Sequence, residues 1–145
     1  LNIFKTVEDA IVNRLSEIQV RTLEVYSGQL TSKDISELTY IFPCIYIAII
    51  DMDCTVVNRS DRGKLRIAIV SGDQNLRGAK TAVDGDLNSV GVYAIMQSVY
   101  ENLQHWQPCS ECTPFKIKKI TSYEPAEDIF IFSQEFECEV MYAIS

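Results

Sequence analysis

Apolar and polar residues alternate most cleanly over residues 129–144. Phe130, Phe132, Phe136, Cys138, Val140, Tyr142 and Ile144 share one parity there, and Ser133, Glu135, Glu137 and Glu139 share the other. A period of two predicts a strand with one covered and one wet face. Residues 115–123 predict the strand before it, and residues 124–128 the turn between them. That turn would set Lys116 opposite Glu137 and Lys118 opposite Glu135, exposed cross-strand pairs that pin the register.

The period changes to helical in residues 74–106. Val92, Met96, Val99 and Leu103 fall on one stripe with Tyr93 and Tyr100 beside it, while Gln97, Glu101, Asn102 and Gln104 take the other side. Asn88 or Ser89 is the expected cap, and Pro108 lies just past the end. Near the start, Thr6 and Asp9 resemble a capping box, and Val7, Ile11, Leu15 and Ile18 mark a helix running to about Ile18. A strand over residues 19–26 follows, then a short helix opened by Thr31 or Ser32 and ended at Pro43. Residues 44–50 are apolar on both parities, as a strand covered on both faces is. Residues 64–70 alternate again, with Leu65, Ile67 and Ile69 opposite Lys64 and Arg66, and residues 58–63 suggest a long, exposed, charged hairpin tip.

The order is therefore α-β-α-β-β-α-β-β. It predicts one α+β domain over residues 1–145, with a mixed, largely antiparallel sheet of about five strands and helices mainly on one face. At 145 residues and 47% hydrophobic, the chain has ample core for this, and no repeat, linker or low-complexity tract interrupts it. The net charge of -7 argues against a nucleic-acid backbone as the ligand. The longest apolar run, residues 41–50, is about half of a bilayer span, and no basic n-region precedes an h-region. Five scattered cysteines fit a reducing compartment and mostly buried thiols.

The search for a reaction centre yields little. Cys109 and Cys112 form a CxxC with His105 four residues before it, but a structural zinc site needs a second ligand pair. The pair also follows a helix C-terminus, whereas a redox CxxC uses a helix N-terminus to lower its thiol pKa. His105 is the sole histidine, and no nucleophile motif accompanies it. Asp51 and Asp53 follow a buried strand, and Asp84-Gly-Asp86 has turn chemistry; neither pair completes a calcium loop. The loop with Gly72 and Gly78 lacks phosphate-loop spacing. No catalytic residue, metal or cofactor is expected.

Several stretches taken together resemble the Mu-like phage tail terminator (tail completion) family. They are Val7-Glu-Asp-Ala-Ile-Val-Asn-Arg-Leu15, Tyr26-Ser-Gly-Gln-Leu30, Phe42-Pro43, Asn75-Leu-Arg-Gly78, Gly91-Val-Tyr93 and the closing strand. Their order and spacing span nearly the whole chain. Ala79 departs from the family's pattern, as does the Cys109–Cys112 segment.

The resemblance implies a structural protein of a phage, or of a prophage-derived contractile tail-like particle, assembled in the bacterial cytoplasm. It implies a homo-oligomeric ring of six that caps the head-proximal end of the tail tube and stops its growth. Its partners would be the tail tube protein, and with it the sheath and head–tail connector, with neither a membrane nor sequence-specific nucleic acid among them. Arg59, Arg62 and Arg77 are the expected subunit or tube contacts, on the hairpin tip and in residues 71–86. Glu135, Glu137 and Glu139 are the candidate lumen-facing stripe, along which DNA would slide. The alternatives are another neck, connector or baseplate component, or a small thiol- or zinc-dependent enzyme using His105, Cys109 and Cys112.

Overall fold

A computed structural model describes residues 2–26, 42–57, 60–74, 91–126 and 129–143. Two helices, α1 (Asn2–Leu15) and α2 (Val92–Leu103), accompany five strands: β1 (Thr22–Val25), β2 (Cys44–Val57), β3 (Ser60–Gln74), β4 (Lys116–Ala126) and β5 (Ile129–Ala143). The strands form one sheet in the order β1-β2-β3-β5-β4. Only β1 and β2 run parallel; every other pair is antiparallel. This is the expected α+β mixed sheet. The expected short helix after residue 30 lies outside the described residues.

Both helices pack on one face of the sheet. Val7, Ile11 and Leu15 of α1 are fully buried, as their spacing predicts, against Ile45 and Ile47 of β2 and Leu65, Ile67 and Ile69 of β3. Phe136, Cys138 and Val140 of β5 complete this main core, with Phe115 at its edge. A smaller core of Phe42, Cys44, Tyr46, Ile129 and Ile131 lies at one end of the opposite face. Two cores explain why β2 is apolar on both parities over residues 44–47.

Several boundaries differ from expectation. Helix α1 begins four residues before Thr6, so the expected Thr6–Asp9 capping box does not form; Asp9 instead takes an ion pair one turn back, from Lys5 Nζ at 2.9 Å. The helix ends at Leu15, and Ile18 follows in a turn, its N–H donating to Leu15 O. Strand β1 has only four residues, and the Pro43 carbonyl accepts from Arg21 and Thr22 where it enters the sheet.

The buried stripe of α2 is Val92, Ile95, Val99 and Leu103; Met96 is displaced from it, and Tyr93 and Tyr100 are exposed. Gln134 is buried in the apolar face of β5 and donates from Nε2 to the Met96 carbonyl at 3.1 Å.

Asn88 and Ser89 lie outside the described residues, and the cap of α2 is Gly91, with φ 82° and no side-chain cap bond of its own. Asp73, at the end of β3, substitutes for a local cap: its Oδ2 accepts from Gly91 N at 3.1 Å.

The expected long charged hairpin tip is mostly strand. Pairing runs on to Val57 opposite Ser60, so Asp61, Arg62 and Gly63 belong to β3, and residues 71–74 extend it at the other end. A register shift between Ile49 and Asp51 lets β2 continue past its apolar half.

Candidate functional site

The polar parities of four strands fall on the sheet face opposite the helices, and the register sets them in rows. Asp51 of β2 pairs with Arg66 of β3, Arg66 with Glu137 of β5, and Glu137 with Lys116 of β4. One row along, Asp53 pairs with Lys64, and Lys64 with Glu139. On the other side, Glu135 pairs with Ala68 and with Lys119. Across the sheet the charges therefore run acidic on β2, basic on β3, acidic on β5 and basic on β4. Period-two alternation on each strand produces the stripes, and antiparallel pairing aligns them.

Ion pairs join neighbouring stripes. Arg66 forks onto Asp51, with Nε 2.8 Å from Oδ1 and Nη2 bonded to Oδ2. Hydrogen bonding to Arg66 holds the Asp51 carboxyl below the usual carboxylate range, and Asp51 in turn raises the Arg66 guanidinium. Lys118 Nζ lies 3.5 Å from Glu137 Oε2. Lys116 faces Glu137 as expected, but Lys119, not Lys118, faces Glu135. A bulge between Ile117 and Lys119 shifts the register by one and leaves Lys118 to lean toward Glu137.

The residues singled out from sequence are thus distributed as follows. Glu135, Glu137 and Glu139 share the charged face, with a basic stripe on each side, so the carboxylates do not stand as a bare acidic wall. Arg62 is exposed on the same face, between Thr55 and Met141. Arg59 and Arg77 lie outside the described residues. Sequence reasoning set the lysines of β4 opposite the glutamates and missed the basic stripe on their other side. Lys64 and Arg66 were legible as a wet parity, but only the pairing of β3 with β5 puts them beside the glutamates.

The thiols sit apart from the stripes. After α2 the chain turns at His105 (φ 64°) and crosses to the end of β5, where Thr113 N donates to Glu139 O and Met141 N to Glu111 O. Cys109 and Cys112 face each other with their sulfurs 3.2 Å apart, and Cys112 also contacts Cys138 beneath. Cys138 is the member that sequence spacing did not reveal. Hydrogen bonding to Cys138 together with burial pushes the Cys112 thiol up, and burial pushes Cys109 up to about 12. A nucleophile or metal ligand needs the opposite shift. Among the described residues, no group of three or more His, Cys, Asp and Glu could hold a metal ion. His105 is exposed on the rim of an open groove of about 440 Å³, beside Lys116 and Lys118.

A labelling order follows. Cys54 is exposed, Cys44 and Cys112 are buried, and burial lifts Cys44 to about 12. The thiolate is the reacting species, so at pH 8 iodoacetamide should modify Cys54 first in the folded protein. Cys44 and Cys112 should react more than about a hundredfold more slowly. Mass spectrometry of digested samples over time reads this directly; Cys112 alkylated as fast as Cys54 would contradict its environment.

Residues 3–141 match the family model described as Bacteriophage Mu, Gp37. The chain belongs to this family. The match spans essentially the whole chain and agrees with the resemblance to Mu-like phage proteins. No curated protein matches the sequence. Among solved structures, this Gp37-family chain is similar to one described as "Virion of native gene transfer agent (GTA) particle". The two share 8% sequence identity, with a TM-score of 0.49, over 97% of this chain and 92% of that one. No helix among the described residues is long and apolar enough to cross a membrane.

Proposed function

We propose that this chain is a structural protein of a phage, or of a prophage-derived contractile tail-like particle, and that it catalyses no reaction. Its place is the head-proximal end of the tail tube, where six copies close into a ring, stop tube growth and join the tail to the head connector. The tail tube protein is its main partner, with the sheath beside it, and it assembles in the host cytoplasm. The observation that carries this reading is family membership over residues 3–141. A face of paired charges in place of a cleft with perturbed acids and bases also favours an assembly surface over an active site.

In the ring, subunits pack head to tail by rotation. The charged sheet face, with Glu135, Glu137 and Glu139 between their lysines and arginines, forms the lumen wall. Acidic and basic stripes in near balance give passing DNA no extended basic surface to hold it. Arg59, Arg62 and Arg77 contact the neighbouring subunit or the tube. Replacing all three with Glu should abolish tail capping while leaving the far-ultraviolet circular dichroism and the melting of the chain unchanged. Tails of normal length from that variant would remove these arginines from the contact.

Native mass across a protein-concentration series, with negative-stain images and with assembled tube protein added, tests the function itself. The expected result is a ring of six with a central hole that sits at one end of each tube. Protein found instead at the baseplate end, or along the tube, would overturn the assignment.

A further inference from the structure

Three of the five cysteines meet where the chain crosses from α2 to β4. Cys109 and Cys112 are the first and last residues of a tight turn, closed by the Cys112 N–H donating to Cys109 O at 3.1 Å. Such a turn brings its end Cα atoms within about 7 Å, close to the span of about 4.4–6.8 Å that a disulfide bridges. The two sulfurs already lie 3.2 Å apart. Cys109 is half-buried, so a small solute reaches it, whereas Cys112 is 4% exposed and Cys138 beneath it 3%. The turn is also pinned. Thr113 N donates to Glu139 O, Glu139 N to Thr113 Oγ1 and Met141 N to Glu111 O, each at 2.8 Å. Cys112 and Val140 thereby add one β-bridge beyond the start of β4.

We infer that Cys109 and Cys112 are a disulfide site, closed by a low-molecular-weight disulfide, and that closure stiffens the connection that holds the end of β5. The Cys109 thiolate attacks one sulfur of the small disulfide. A mixed disulfide forms on Cys109 as the small S–S bond breaks, and the departing small thiolate takes up the proton that Cys109 lost. Cys112 then loses its proton and attacks the Cys109 sulfur. The protein S–S bond forms, the mixed one breaks, and a second small thiol departs. In sum, two protein thiols are oxidised and one small disulfide is reduced to two thiols.

Burial slows the first step, because it holds the Cys109 thiol protonated, with its pKa pushed up to about 12. The pair therefore resists trace oxidant. Proximity sets the equilibrium instead. An unfolded chain must bring the two thiols together at an entropic cost, while the folded turn holds them in place. The bond also replaces two S–H groups at the rim of the main core by an apolar link. The competing bond, Cys112 to Cys138, is worse placed. Cys112 pairs with Val140, so Cys138 is its diagonal neighbour, and diagonal Cα atoms lie about 7–8 Å apart, beyond the bridging range. Cys54 is an internal control in the same row. It pairs with Gly63, Gly63 with Val140 and Val140 with Cys112, so three strand spacings, about 14 Å, separate it from Cys112.

Equilibration of the wild-type chain with graded ratios of reduced to oxidised glutathione tests the site, once folded and once unfolded in urea. Samples are quenched in acid, digested with trypsin and weighed. Trypsin leaves Cys109 and Cys112 in one peptide, residues 81–116, and Cys138 in another, residues 120–145. The expected product is peptide 81–116 lighter by two hydrogens, with glutathione retained on Cys54 alone. The folded chain should be half-oxidised in a buffer at least about ten times more reducing than the unfolded chain needs. By the thermodynamic cycle, the oxidised chain then resists unfolding by that same factor. A cross-link between the two peptides would place the bond at Cys112 and Cys138 and overturn the assignment. Glutathione that stays on Cys109, or a smaller ratio between folded and unfolded chains, would mean that the turn does not bring its thiols to bonding distance.

Discussion

Phe136→Ala should cost this domain about 3–5 kcal/mol, the range for emptying a fully buried aromatic site. Phe136 has no exposed surface and lies on β5 between its neighbours Ile67 of β3 and Ile117 of β4. Its ring meets Phe115 edge-on, with centroids 6.2 Å apart and planes at 67°, a geometry that adds about 0.5–1.5 kcal/mol beyond the buried area. Removing it opens a void where α2, β5 and the segment after the cysteines converge. A domain of this size has a total stability of about 5–15 kcal/mol, so the variant would lose a large share of it. Urea denaturation at a concentration where the wild type is monomeric gives the difference. Tyr123→Ala, on exposed surface, is the matched control and should change stability by less than about 0.5 kcal/mol. A loss below about 1.5 kcal/mol for Phe136→Ala would mean that the core closes around the gap.

The position of Phe136 was legible before any fold. The C-terminal alternation assigns it to the covered face, and the structure agrees from Gln134 to Val140, whereas before that Ser133 is buried on the other parity and Phe130 and Phe132 are half-buried. Local patterns sufficed wherever one face is dry and the other wet. They failed where the strand is wet but paired. Asp61 and Arg62 look like a loop because they are charged and sit beside Gly63, yet they are strand. Gly63 lies against the Met52 side chain so closely that an added Cβ would come within 2.5 Å of its sulfur, a contact no sequence pattern encodes. The α2 stripe was misjudged by one position for a similar reason. Met96 and Ile95 both fit the helical spacing, and Ile95 is the one that packs into the main core. For the candidate surface, each stripe was visible on its own strand. Their alternation depends on β3 lying beside β5, a pairing across more than sixty residues of sequence.

The start of α2 gives the other large effect. By composition Asn88 or Ser89 is the better cap, but the helix begins at Val92 behind a glycine that offers no side chain. Asp73 fills the role from eighteen residues away. It is 2% exposed, its Oδ1 accepts from Gln74 N at 2.8 Å and its Oδ2 from Gly91 N at 3.1 Å. A carboxylate there also meets the positive end of the helix dipole. Asp73→Ala should therefore cost about 2–3 kcal/mol, from buried N–H groups left without an acceptor and from the lost dipole contact. Asp73→Asn keeps one acceptor oxygen and should lose less than half as much. Gly91→Ala tests the same junction from the other side: φ 82° with ψ 148° is glycine backbone, and a side chain there is strained by about 1–3 kcal/mol. Hydrogen exchange separates this anchoring from a general loss of stability. In Asp73→Ala the amides of Gly91 and the first turn of α2 should exchange faster relative to those of β5, whose protection reports global unfolding. If all amides accelerate by one common factor, Asp73 contributes to the core as a whole and does not fix the start of the helix.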